Sequence, residues 1–190
     1  MVERFPLLDT MLLPGEDRSF GDGLFVDLVP AACWFTDVLA CVPGEDGERL
    51  LRMAAERAGG RCETCDRRLP EPEIHERWDY DHVTVTQRLR RLICLCAECH
   101  MVTHFGLAVH GAEKAALAHL SAVTAMPADE AREHVEESYR IWRMRSRRNW
   151  RLDLSILTKA GVTPKPPPES HQRARAAERA MWVARLRDGW

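Results

Sequence analysis

The chain has 190 residues, 45% of them hydrophobic and 29% charged, with a mean hydropathy of -0.34. That is the composition of a folded, water-facing protein of one domain, or one domain with appendages. No run approaches the roughly 18 apolar residues of a membrane span, and the first residues lack the basic-then-apolar layout of a secretory signal, so the expectation is a cytoplasmic protein with no membrane partner. The net charge of -2 hides an asymmetry: residues 1–45 hold eight acids against Arg4 and Arg18, whereas residues 139–190 hold thirteen Lys and Arg against four acids. A basic end of that kind suits either a polyanionic partner or a solvated face.

Residues 1–45 carry Pro6, Pro14, Pro30 and Pro43 among glycines and short apolar runs, which predicts an irregular acidic region of extended segments and loops. Its run Ala31-Ala32-Cys33-Trp34-Phe35 is apolar enough to be buried, and Cys33 and Cys41 read as core residues. From Gly44 to Gly60, Leu50, Leu51, Ala54 and Ala58 recur near helical spacing, with acids early and Gly59-Gly60 as a stop. Beyond that helix come a Cys-x-x-Cys turn, a short strand over Ile74–Trp78, and a second strand or loop within residues 83–95. A helix is then expected at the second cysteine pair, with His100 and His104 four apart on one face. These elements make residues 46–110 one core unit with a leading helix.

Residues 111–160 read as a helical region. An Ala-rich helix over 112–125 stops at Pro127, and a longer helix over 129–148 carries Val135, Tyr139 and Trp142 as a core-facing stripe. Its end is rich in arginine, with Arg140, Arg143, Arg145, Arg147, Arg148 and then Arg151. Residues 161–190 combine an extended Pro-rich linker, Thr163–Pro168, with a basic C-terminal helix over 174–186.

Seven cysteines is an odd number, and two pairs stand at the Cys-x-x-Cys spacing, Cys62/Cys65 and Cys96/Cys99, thirty residues apart. A tight turn at that spacing aims both thiolates at one ion, and zinc takes four of them tetrahedrally, so a structural Zn2+ site is expected rather than a disulfide framework. Cys94 lies near the second pair, but only Cys96 makes the two-residue gap. With four thiolates filling that shell, His75, His100 and His104 would form a second site with open positions, the arrangement of a catalytic metal.

The series Cys62-x-x-Cys65, Glu73-Ile74-His75-Glu76-Arg77-Trp78 and Leu92-x-x-Leu95-Cys96-x-x-Cys99-His100-x-x-x-His104 resembles the HNH endonucleases with a zinc-stabilised ββα-metal core, over about residues 60–105. The resemblance implies an α+β, mostly helical fold: a small ββα core flanked by helices. It also implies a metal-dependent enzyme that hydrolyses phosphodiester bonds in DNA, or in RNA. By that likeness His75 stands where the hairpin ligand of a divalent ion falls, Glu76 where the general base falls, and His100 and His104 where the helix ligands fall. The ion would be Mg2+, Mn2+, Ni2+ or Zn2+. This sequence has Glu76 where the family's usual base is histidine, and Arg91 near the position of its middle asparagine. A second assignment, with His75 as base and Glu73 as ligand, uses the same strand face. Arg88, Arg90 and Arg91, with Arg143, Arg147 and Arg148, are the expected contacts to backbone phosphates; Trp142 and Trp150 read as core or as base-stacking residues, and Trp78 as packing beside the zinc loop. The alternative to an enzyme is a non-catalytic zinc-stabilised module that binds nucleic acid or protein; a redox or metal-handling role would need only the cysteine pairs.

Overall fold

The computed structural model describes residues 12–42, 44–108 and 111–165, together with 169, 172, 173, 175 and 176. An antiparallel hairpin organises them. Strand β1 (Glu73–Asp81) pairs with β2 (Thr86–Leu95), from Glu73 opposite Leu95 to Asp81 opposite Thr86. Strand β1 runs longer than the expected Ile74–Trp78, whereas β2 falls within the expected residues 83–95; between them the Asp81 carboxylate closes the turn by accepting the N–H groups of Val83 and Thr84. A short strand β3 (Arg151–Asp153) adds parallel to the Thr86 end of β2; three residues are too few to show a strand period in the sequence.

The hairpin is bulged. Arg77 faces Arg91 while Trp78 faces Leu89, so Arg90 is skipped and the inward–outward parity of β2 reverses there. Leu89 and Leu92 therefore share one core, and Ile93 and Leu95 share another on the opposite side. Helices cover both. On the first side lie α1 (Val38–Cys41), α2 (Glu45–Arg57) and, after four further helices and β3, α7 (Ser155–Lys159), which bury Leu50, Met53, Trp78, Trp150 and Leu157 around the hairpin. On the second lie α3 (Ala97–Thr103), α4 (Phe105–Ala108), α5 (Glu113–Thr124) and α6 (Ala128–Arg145), which bury Val102, Phe105, Leu120, Ala131 and Val135. The fold is α+β, helices around a three-stranded sheet, as expected.

Helix α2 starts with Glu45, Asp46 and Glu48 against its positive dipole end and gives way to Gly59 and Gly60, both with φ in the left-handed region. Helix α6 stops at Arg145, short of the expected 148: the Arg145 carbonyl accepts the Arg148 N–H and the Trp150 indole N–H (2.8 Å), and the chain turns there. That contact buries Trp150 against Tyr80, so Trp150 serves packing, and the half-buried Trp142 donates its indole N–H to the Val29 carbonyl. Trp78 is also buried, but in the α2-side core and not beside the cysteine turn.

The N-terminal region holds more structure than loops: a 3-10 turn at Ala31–Cys33 and the short α1, which Asp37 caps. Ala31, Ala32, Cys33 and Cys41 are buried as expected, whereas Phe35, at φ 63°, is 47% exposed. Its acids are used internally. Beyond β3, the open edge of β2 is covered by Glu16, which accepts the Leu92 and Leu13 N–H groups (both 3.1 Å) and pairs with Arg57 at 2.8 Å in a fully buried contact. Next to it Asp17 pairs with Arg90 at 2.8 Å, and its N–H donates to the Arg90 carbonyl. At the other end of the chain Lys165 N–H reaches the Cys41 carbonyl; Pro166–Pro168 and most of the expected C-terminal helix over 174–186 lie outside the described residues. Among the described residues no helix is long and apolar enough to cross a membrane.

Glu16→Ala removes the carboxylate that pairs with Arg57 and accepts two backbone N–H groups, so it should destabilise the fold by about 3 kcal/mol, read as a lowered urea midpoint. A loss under about 1 kcal/mol would show that water replaces the carboxylate there.

Candidate metal centre

The first Cys-x-x-Cys forms a turn in which the Cys62 N–H donates to the Arg67 carbonyl and the Asp66 N–H to the Cys62 carbonyl, each at 2.9 Å. Asp66 reaches a φ of 58°, and its side chain accepts from Arg61 at 3.0 Å. The second pair sits where β2 ends and α3 begins: Cys96 is the N-cap of α3 and its sulfur accepts the Cys99 N–H. The Sγ atoms of Cys62, Cys65, Cys96 and Cys99 lie within 4.8 Å of one another and could hold a metal ion. Four thiolates at roughly 2.3 Å from a central zinc stand about 3.8 Å apart, and Cys65 and Cys96 are separated by 3.8 Å. A hydrogen bond from the Cys99 thiol, with backbone N–H groups around it, pulls the Cys62 thiol down to about 4 and pushes that of Cys99 up; a cation is what lets all the sulfurs ionise together. Cys94 is buried in β2 outside this cluster.

Ligand atoms of His75, His100 and His104 form a second group within 4.8 Å that could hold a metal. His75 comes from β1, His100 from α3, and His104 from the C-cap that breaks α3 from α4, at φ -93° and ψ 48°. The expected helix thus ends one residue early, yet its His104 N–H still bonds the His100 carbonyl at 2.9 Å, and ring centroids lie 4.7 Å apart. His75 sits 4.7 Å from the His104 ring and 5.3 Å from the His100 ring. Three observations fit these rings to a cation. His75 is 2% exposed and its Nε2 is buried with no hydrogen-bond partner. Desolvation, with the neighbouring His and Arg77 charges, holds its imidazole well below the usual range and that of His104 down at about 4, so both are neutral donors at pH 7. The third is Glu73, whose carboxylate hydrogen-bonds His100 Nδ1, the kind of contact by which an outer carboxylate orients a metal-bound imidazole. Glu73 and His75 share a strand face, as expected, and Glu73 reaches the His100 ring from it.

Glu76 points to the other side of β1, where its Oε1 accepts the Val38 N–H of α1 at 2.7 Å. Desolvation, opposed by that bond and reinforced by the nearby Asp37 charge, raises its carboxyl to about 7. It nonetheless lines the same open groove, about 560 Å³, as His75, His100 and His104; Leu39, Leu51 and Ile74 supply an apolar wall and Arg52 a cation.

The arginines divide. Arg91 is 2% exposed and donates to the Arg18 carbonyl and, at 3.0 Å, to Glu63. It is therefore not a phosphate contact: burial and two acceptors commit its guanidinium to holding the cysteine loop and the N-terminal segment on β2. Glu63 completes that joint by accepting the Cys94 N–H at 2.7 Å and donating its own N–H to the Cys94 carbonyl. Arg88 pairs with Asp153 and Asp79, and Arg90 with Asp17 while lying over the Phe20 ring; both are partly exposed. Arg143, Arg147 and Arg148 are exposed, and Arg148 donates to the His82 carbonyl at the hairpin turn. At ~3.3 Å per residue, seven strand residues put that turn about 20 Å from His75.

Compared with family models, with curated proteins and with solved structures, the chain matches none of them. Glu63 and the orienting role of Glu73 had no separate mark in the sequence; Glu63 showed only as an acid inside the first cysteine pair, whose partners lie 28 and 31 residues away.

Metal analysis of purified protein should find Cys62→Ser and Cys99→Ser depleted of zinc, with His104→Ala retaining the thiolate-bound equivalent; loss of all metal in His104→Ala would mean one site rather than two. Glu73→Ala should weaken Ni2+ or Zn2+ binding at the histidine cluster by about 10- to 100-fold in calorimetric titration, and an unchanged affinity would remove Glu73 from the site.

Proposed function

We propose that this protein is a metal-dependent endonuclease of the HNH type that hydrolyses phosphodiester bonds in DNA. What supports the reading most is the convergence of three imidazoles, those of His75 and His104 held neutral by burial and the Nε2 of His75 buried without a hydrogen-bond partner, in a groove that a carboxylate also lines. A divalent ion held by His75, His100 and His104 would act as a Lewis acid, polarising the phosphoryl group and easing departure of the alkoxide. Glu76, clamped through Oε1 by the Val38 N–H, accepts the proton of the attacking water as the new P–O bond forms and the scissile P–O bond breaks. Glu73 keeps His100 in one tautomer throughout. The donor set is all nitrogen, so ions that favour imidazole, such as Zn2+ and Ni2+, suit it better than Mg2+, which favours oxygen. Zinc in the four-cysteine cluster is structural in this reading.

Arg143, Arg147 and Arg148 neutralise backbone phosphates at a distance from the cut, with Arg88 and Arg90 nearer to it along β2. A second reading has one observation in its favour: the groove is lined by Asp37, Glu73 and Glu76 against Arg52, which repels a polyanion until a cation is bound. In that reading the protein is a metal-stabilised module that binds nucleic acid or protein without cutting it.

Supercoiled plasmid incubated with the protein and Mg2+, Mn2+, Ni2+ or Zn2+ should be nicked by wild type, best with the imidazole-favouring ions. His75→Ala and Glu76→Ala should each lower the rate by at least 100-fold. DNA binding without nicking under every ion would decide for the module.

A further inference from the structure

We infer that His119, on α5, is a positioning residue of the thiolate metal site, donating its Nε2–H to the sulfur of Cys99. The inference rests on the reading of Cys62, Cys65, Cys96 and Cys99 as a metal site. His119 Nε2 lies 3.2 Å from Cys99 Sγ, and Cys99 is fully buried. A divalent ion with four thiolates carries a net charge of -2, which is costly in a buried position unless donors spread it. Cys96 receives such a donor from the Cys99 backbone, at 3.3 Å. Cys99 receives its donor from a different helix.

The chemistry fixes the direction of the bond. A metal-bound thiolate has no proton to give, so the contact survives metal loading only with the proton on His119 Nε2 and the imidazole in its Nε2–H tautomer. His119 is not itself among the four ligand atoms that lie within 4.8 Å of one another. Its effect passes through Cys99 to α3, where the next residue is His100 and the C-cap is His104. On either side of His119 along α5, Ala116 and Leu120 are buried in the same core as Cys99. The thiolate site therefore holds the α5–α6 helical pair as well as the hairpin, and metal loss should loosen both.

Chelator competition on the full chain should show His119→Ala binding zinc about 10- to 100-fold more weakly than wild type, with His119→Gln, which keeps an N–H donor, recovering most of the difference. In the Co2+-substituted protein, His119→Ala should shift the thiolate-to-metal charge-transfer bands while keeping a four-thiolate spectrum. Nitrogen-15 shifts of the zinc-loaded wild type should report the Nε2–H tautomer. Equal zinc affinity and identical Co2+ bands in His119→Ala, or an Nδ1–H tautomer, would overturn the inference, as would a wild-type spectrum of three thiolates and one imidazole. If wild type itself binds no zinc at the cysteines, the reading of the cluster fails first.

Discussion

Helix α3 is seven residues long, too short to be stable alone, and it carries ligand atoms of both clusters. Cys96 caps its first turn, Cys99 and His100 are neighbours within it, and His104 closes its end. A metal at the four sulfurs would tie it to the turn at Cys62 and Cys65, while its imidazoles lie beside His75 on β1. Each cluster holds the helix against one end of the hairpin, so the geometry of either constrains the other. The buried residues of this helix lie in the second core, and the bulge at Arg90 is what puts Leu89 and Leu92 of β2 together in the first.

The second constraint is electrostatic. The side chains of Glu16, Arg57 and Arg91 are buried and that of Glu63 nearly so along the edge of β2, and each carboxylate accepts a backbone N–H as well as a guanidinium. Buried ion pairs contribute little net stability when isolated, but removing one member of such a group leaves a desolvated charge. The acidic N-terminal segment is thus a structural edge of the sheet. Arg91 belongs to the same group: its guanidinium binds acceptors on the cysteine loop and on the N-terminal segment.

Desolvation does related work in the groove. It keeps His75 and His104 neutral, which a ligand requires, and it raises the Glu76 carboxyl toward 7, which brings its basicity close to that of an imidazole. The Glu76 carboxylate is in this way compatible with the proposed proton transfer.

Much of this was legible in the chain itself. Paired Cys-x-x-Cys spacings mark a four-thiolate cluster because two tight turns need only to be brought together, and i,i+4 histidines meet across one helical turn. Acids followed by a Gly-Gly stop delimit α2 by local rules of the same kind. What needed the tertiary structure was whatever depends on partners distant in sequence. The burial of Arg91 rests on Arg18 and Glu63, 73 and 28 residues away, the tether on Glu76 is a backbone N–H 38 residues away, and the donor to Cys99 comes from 20 residues further on. Local spacing specifies which ligands can converge, because bond geometry within a turn is short-ranged; which charges are buried, neutral or engaged is decided only when separate segments exclude water from one another.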